Sequence, residues 1–270
     1  MSRIGIEFIS VFGLPPVEFV ELTARLGCSF LGIAPAPIVS NPHNYAQWTL
    51  RGNPGLLADT AKALADNNVR VGLGEGFLIR PGATTADCAG DLDIMARLGA
   101  GCVNITSIEA DFARNCAEFA QFCDMAHDRG LPVSVEFLPG FAIGTLASAV
   151  ELLDAAARPN SGVLIDAMHF YRTGGTQADI AALDPARIAH AQLCDVPTVS
   201  PFESYMDEAR YERRAPGKGD LPLDRFVRAL PKTCLLGLEL PMQGKALAGI
   251  GPYERLKPAV DAARVIANQR

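Results

Sequence analysis

The chain has 270 residues, 49% of them hydrophobic and 20% charged, with 25 Gly and 19 Pro. That composition excludes intrinsic disorder, and seven Cys at this length exclude a disulfide-dense scaffold. With 24 Lys and Arg against 30 Asp and Glu, the net charge of −6 argues against nucleic acid as a partner, because such binders need a basic stripe.

In chain order, short apolar β-branched runs alternate with longer helical patterns. The runs predict strands at 4–9, 30–34, 69–75, 102–106, 132–137, 163–166, 188–193 and 234–240. Amphipathic spacing predicts helices at 16–26, 55–66, 86–98, 110–129 and 146–157, with a last helix at 252–268. Gly27, Asn67, Gly99 and Gly130 stand where helices should close. Charges at Arg3 and Glu7 leave no apolar core of signal-peptide length, and no run approaches 18 apolar residues, so no membrane association is expected. An odd Cys count without a C-x-x-C pair suggests small, reduced core thiols in a cytoplasmic protein.

Nearly continuous apolar strands, each followed by a helix, imply parallel strands covered on both faces. Eight such units match a single (β/α)₈ TIM barrel of the α/β class, one domain over residues 1–270. A doubly wound sheet is the alternative, but its signature is missing. Gly72-Leu-Gly-Glu-Gly76 is followed by Phe77 and does not complete G-x-G-x-x-G, and neither a P-loop nor a G-x-S-x-G elbow occurs.

In such a barrel the chemistry gathers at the C-terminal strand ends. The last four predicted strands carry Glu136, Asp166, Gln192 and Glu239 there. One acidic residue at a strand end is ordinarily a cap or an ion-pair partner. Four on successive strands, about 4.8 Å apart from one strand to the next, could converge on one centre. Three carboxylates so close repel unless neutralised, and an all-oxygen set suits one divalent ion, Mg²⁺ or Mn²⁺, better than Zn²⁺.

With these residues the chain resembles the xylose isomerase-like TIM-barrel superfamily of sugar phosphate isomerases and epimerases. That group includes hydroxypyruvate isomerase, ketose 3-epimerases, inosose dehydratase, 3-dehydroshikimate dehydratase and endonuclease IV. The resemblance is specific from about residue 132 to 241, and implies metal ligands at Glu136, Asp166, Gln192 and Glu239. The family's D-x-x-H motif matches Asp166-Ala-Met-His169, and its H-x-H motif reads His190-Ala-Gln192. Ketose epimerases carry His at the latter's ligand position. Hydroxypyruvate isomerase and 3-dehydroshikimate dehydratases carry Gln, and the dehydratases also resemble this chain in a long insert after Asp195.

The resemblance implies removal of a proton beside a metal-polarised carbonyl. Glu136 and Glu239, on opposite sides of the ligand ring, would take and return the proton, with His169 as an acid or a substrate contact. The expected substrate is a small polyhydroxy carbonyl compound or a cyclic keto acid. The leading expectation is an isomerase or epimerase, with a 3-dehydroshikimate-type dehydratase as the alternative and a non-catalytic barrel subunit as a remote one. A nuclease of the endonuclease IV type would need more than the four His present. Arg213 or Arg214, in the loop after the seventh strand, is expected to hold an anionic group of the substrate. His190 and Glu75 are further candidate substrate contacts, with Glu7 and Asn104 beside them. His43, Tyr45 and Trp48 lie in a long loop that would suit an aromatic lid. Pairing as a homodimer is a further expectation for such barrels.

Overall fold

Strands that must bury both faces are rich in Val, Ile and Leu here, and in this computed structural model, which describes residues 3–268, they close into one barrel. The eight strands are β1 (Ile4–Ile6), β2 (Phe30–Ile33), β3 (Arg70–Ile79), β4 (Val103–Ser107), β5 (Val133–Glu136), β6 (Ser161–Asp166), β7 (Ile188–Leu193) and β8 (Leu236–Leu238). All neighbours pair parallel, and β1 closes on β8 through Ile4↔Leu236, Gly5↔Gly237 and Ile6↔Leu238.

Around it run α1 (Pro16–Arg25), α2 (Pro54–Asp66), α3 (Ala89–Arg97), α4 (Phe112–His127), α5 (Leu146–Ala156), α6 (Ala167–Arg172), α7 (Gln177–Ala181), α8 (Tyr205–Tyr211), α9 (Leu223–Ala229), α10 (Gln243–Leu247) and α11 (Pro252–Asn268). Local chemistry sets their starts: Asn53, Asp111 and Thr145 accept backbone N–H groups at the N-termini of α2, α4 and α5. The apolar faces bury Phe19 on α1, Phe119 and Phe122 on α4 and Phe226 on α9, and Phe122 meets Phe77 of β3 at 5.0 Å between rings.

The barrel interior is layered. Side chains alternate between faces along a strand, so Ser134 and Glu136, Leu164 and Asp166, and His190 and Gln192 share the inward face of their strands. Register puts Asp166 beside Gln192, and Gln192 beside Gly237. Phe30 fills the lower interior, where a Cβ on Gly5 or Gly72 would come within 2.4 Å of its ring. Above it lies Glu7, and Cβ positions on Gly32 and Gly237 would fall 2.0 and 1.5 Å from its carboxylate oxygens. Here glycine is required by close approach rather than by backbone angle.

The structure departs from the sequence-based expectation at three elements. The first strand ends at Ile6, and residues Phe8–Val11 form a 3₁₀ turn. The third runs on to Ile79 past a register shift between Gly74 and Phe77, with Gly76 at φ +97°. The loop after β2 does not present an aromatic lid: Trp48 donates to Gly13 O at 2.9 Å and packs edge-on against Phe8. All seven Cys are unpaired, and among the described residues no helix is long and apolar enough to cross a membrane.

Candidate active site

A cavity of about 260 Å³ opens at the C-terminal ends of the strands, room for one small ring compound. Its polar floor includes Glu75, Asn104, Glu136, His169, Arg213 and Glu239. Asp166 and Gln192 lie buried beside these residues without lining the cavity.

Each floor residue is held by its neighbours. Asn104 Nδ2 donates to Glu136 Oε2 at 2.7 Å, and Ser134 Oγ donates to Asn104 Oδ1 at 3.0 Å. This two-step relay on adjacent strands fixes one oxygen of Glu136 and leaves the other 3.4 Å from His169 Nε2. Asp166 caps α6 by accepting the His169 N–H at 2.9 Å, which explains the spacing of three between them. His169 Nδ1 meets the Tyr205 hydroxyl in a short hydrogen bond. Burial pushes the Tyr205 phenol well up, so it stays protonated. With Nδ1 engaged by Tyr205, Nε2 is the ring nitrogen that faces Glu136.

Arg213 changes the picture of four oxygen donors around one centre. Its Nη1 lies 2.8 Å from Asp166 Oδ2 and 2.7 Å from Glu239 Oε2, and the side chain is almost fully buried. Burial works against ionisation of Asp166, but Arg213, His169 and the His169 N–H outweigh it and hold the carboxyl below its ordinary range. For Glu239 burial dominates, and with Glu136, Asp166 and Glu75 it outweighs Arg213 and raises the carboxyl well above the usual range. Among the described residues, no three His, Cys, Asp or Glu side chains form a ready cation cage, because this guanidinium already bridges two of the carboxylates. The donor chemistry nevertheless fits a hard cation. Gln192 Nε2 donates to Glu239 Oε1 at 3.3 Å, and Gln192 Oε1 is left buried without a hydrogen-bond partner. This orphaned carbonyl oxygen lies beside Glu239 and Asp166, and all three are hard oxygen donors.

Three expected substrate contacts fall elsewhere or take another role. His190 is in the layer below the floor, its Nε2 2.6 Å from Glu7 Oε1 and its ring edge-on to Phe30 at 5.8 Å. It sits two residues before Gln192 on the same face, so it points into the barrel but one layer too low. Arg214 is exposed and donates to Lys218 O, because its backbone pairs with Asp195 and alternation sends it opposite to Arg213. Arg213 does reach the cavity, but as the partner of Asp166 and Glu239 rather than as a free loop cation.

From the floor downward, Glu75, Glu7 and His190 form a buried titratable group. Burial raises Glu7 to about 8, raises Glu75 well above the usual range and lowers His190 to about 4. The 2.6 Å contact of His190 with Glu7 is therefore a hydrogen bond between neutral groups rather than an ion pair. Glu75 Oε1 accepts the Phe8 N–H at 3.1 Å. Glu7 Oε2 meets no protein N–H, but both it and Glu75 Oε1 crowd the space over Gly32, and a side-chain hydrogen bond between the two carboxyls supplies the missing partner.

Two residues of this site escaped the sequence reading, Tyr205 and Arg210, which lies in the cavity wall. Both lie on α8, inside what reads as a featureless insert. The one local signal is Ser204, which accepts the Asp207 N–H as an N-cap.

The chain belongs to the xylose isomerase-like TIM barrel family, whose pattern matches residues 20–268. An inosose isomerase of Halalkalibacterium halodurans is 26% identical over 126 residues, 46% of this chain and 43% of that protein. A 3-dehydroshikimate dehydratase of Pseudomonas aeruginosa is 29% identical over 141 residues, 50% of this chain and 22% of that protein. The aligned region thus spans less than half the length of either relative. Among solved structures, the IolI protein with a bound zinc atom superposes with a TM-score of 0.81 at 14% identity, covering 98% of both chains. That likeness shows the fold alone.

Proposed function

We propose that this chain is a divalent-metal-dependent isomerase or epimerase that removes a proton beside the carbonyl of a small polyhydroxy compound. The observation that carries this reading is Gln192 Oε1, buried and unpartnered among the carboxylates of Asp166, Glu136 and Glu239. Those four residues would hold the ion, Mg²⁺ or Mn²⁺ by donor type. When bound, a divalent cation supplies Lewis-acid polarisation of a carbonyl and a fixed point for a neighbouring hydroxyl.

The remaining work belongs to side chains. Glu136, with Oε2 tied to Asn104, uses Oε1, on the side of His169 Nε2, to take a proton from the carbon next to the carbonyl. Glu239, across the floor from Glu136, returns a proton on the other side of the developing enediol. His169 Nε2 faces the same space as Glu136 and donates to a substrate oxygen. The buried floor keeps water away from the intermediate.

Dehydration is the second reading, supported by the dehydratase relative and by His169. It shares the first step: Glu136 takes the carbon-bound proton, His169 protonates the departing hydroxyl, and one water leaves. The test is a screen of sugar, keto-acid and cyclic polyol substrates on chelator-treated protein, with and without Mg²⁺, Mn²⁺ or Zn²⁺, read by mass. Metal-restored turnover at unchanged mass supports isomerisation, and a loss of one water identifies the dehydratase. Turnover that ignores the chelator overturns the metal-dependent reading.

A further inference from the structure

β1 ends early, and the consequence falls on Glu239. Its last residue, Ile6, lies opposite Leu238 at the end of β8, and residues Phe8–Val11 then turn away as a 3₁₀ helix. The Glu7 N–H still reaches Leu238 O at 2.9 Å, and among the described residues the ladder between the two strands goes no further. On the other side of β8, the Glu239 N–H is taken by Leu193 O of β7 at 3.1 Å. The next donor, the Leu240 N–H, faces the place that β1 has left. A buried backbone donor without an acceptor is an arrangement that folded chains avoid.

Ser10 supplies the acceptor. Its Oγ accepts the Leu240 N–H at 2.8 Å and donates to Leu238 O at 2.9 Å, so one hydroxyl grips the peptide groups on both sides of Glu239. Ser10, Leu238 and Leu240 are all buried. Ser10 is supported in turn from α11, where the buried Arg255 donates from Nη1 to Ser10 O at 3.1 Å and lies over the Phe12 ring at 5.1 Å. Packing alone would not ask for a hydroxyl here, since alanine fills nearly the same space. Serine meets a backbone donor and a backbone acceptor at once. The carboxylate it steadies is held at its far end by two other elements, with Oε2 at 2.7 Å from Arg213 Nη1 and Oε1 at 3.3 Å from Gln192 Nε2. A shift of the Glu239 backbone would disturb both contacts together.

We infer that Ser10 is a positioning residue for Glu239, fixing through the backbone where its carboxylate stands relative to Asp166, Gln192 and the cavity. This deepens the functional reading above and rests on it in one respect, that Glu239 is a metal ligand. Groups that orient a ligand from outside commonly change metal affinity by about 10–100-fold when removed.

The test is Mn²⁺ binding to chelator-treated protein by calorimetry, for wild type, Ser10→Ala, Glu239→Gln and the double variant. Thermal unfolding confirms that each is folded at the working temperature. Ser10→Ala is expected to weaken Mn²⁺ binding about tenfold when the Glu239 carboxylate is present. In the Glu239→Gln background the same change should do little, because its effect passes through that side chain. Ser10→Cys, which keeps only a weak donor and acceptor, carries the same cycle if Ser10→Ala does not fold. Unchanged affinity in the folded variant, or an equal loss in both backgrounds, overturns the inference and marks Ser10 as a residue of general stability. Failure of the functional reading looks different: a wild type that binds no Mn²⁺ overturns both, and one that binds Mn²⁺ yet turns over no carbonyl substrate overturns that reading alone.

Discussion

Arg213 Nη1 lies 2.8 Å from Asp166 Oδ2 with both side chains out of solvent, so an ion pair stands where four oxygen ligands were expected to enclose a cation. The same guanidinium reaches Glu239, and it makes the cluster affordable in a folded chain. Removing one partner of such a buried pair costs about 3–5 kcal/mol because the other charge is stranded. Arg213→Met should therefore lose stability of that order in urea unfolding of chelator-treated protein. Excess Mn²⁺ should recover more stability for this variant than for wild type, since a cation replaces the missing charge. Equal metal effects in both proteins would contradict shared occupancy of one electrostatic site.

Glu136 and Glu239 are assigned proton transfer, and the two should behave alike when neutralised. Glu136→Gln and Glu239→Gln are each expected to lower kcat/KM about 10²–10⁴-fold, the usual range for a general acid or base. Asn104→Ala acts through Glu136 by freeing its Oε2, so a smaller loss in kcat with little change in KM is expected, together with a shifted pH profile. Steady-state kinetics on the first active substrate checks all three.

The stack under the floor predicts an unusual pH dependence of stability. Glu7 is raised from 4.5 to about 8, so its contribution is full below about pH 4.5 and is lost as pH rises through 8. Glu75 and Glu239 are raised as well and act in the same direction. His190 is lowered from 6.5 to about 4, so the unfolded state binds more protons between these values and stability is lost as pH falls from 6.5 towards 4. From pH 6.5 to 8.5 only the carboxyl effect remains among these groups. The melting temperature should fall across that interval in wild type, and less steeply in Glu7→Gln, which keeps a neutral donor at the same place. Parallel slopes by calorimetry would show that Glu7 is not protonated.

Gly237 is predicted to be intolerant of any side chain. An added Cβ would fall 1.5 Å from Glu7 Oε1, with both walls of that layer formed by the barrel itself. Gly237→Ala should destabilise by about 1–3 kcal/mol, the cost of overpacking a dense core. The double variant with Glu7→Ala should recover part of this loss, a coupling that a double-mutant cycle in urea reads directly.

The barrel was legible because its signal is periodic: short apolar runs recur eight times, each followed by a helical stretch, and the glycine signature of a doubly wound sheet is missing. Part of the floor was legible for a related reason: of Glu136, Asp166, Gln192 and Glu239, which occupy equivalent places at the ends of consecutive strands, Glu136 and Glu239 line the cavity. Depth was not. His190 and Gln192 share one face of β7, and nothing in their spacing says that the mouth of the cavity lies a layer above His190. Direction in loops was equally hidden. The bridge between Asp195 and Arg214 decides which of two adjacent arginines turns inward, and it forms between residues nineteen positions apart. Glu7 read as a possible cavity residue, but its place depends on Gly32 and Gly237 yielding space from two other strands. Arg210 was missed because a seven-residue helix inside an insert leaves little amphipathic trace.

Glu136 is assigned the transfer of a carbon-bound proton of a small carbonyl substrate. The most direct measurement is mass spectrometry of unreacted substrate and product after incubation in D₂O with Mn²⁺-loaded protein, comparing wild type with Glu136→Gln. Deuterium at the carbon beside the carbonyl, present with wild type and lost by at least a hundredfold in the variant, is the predicted result. Turnover without exchange, or exchange that is equal in the two proteins, would contradict it.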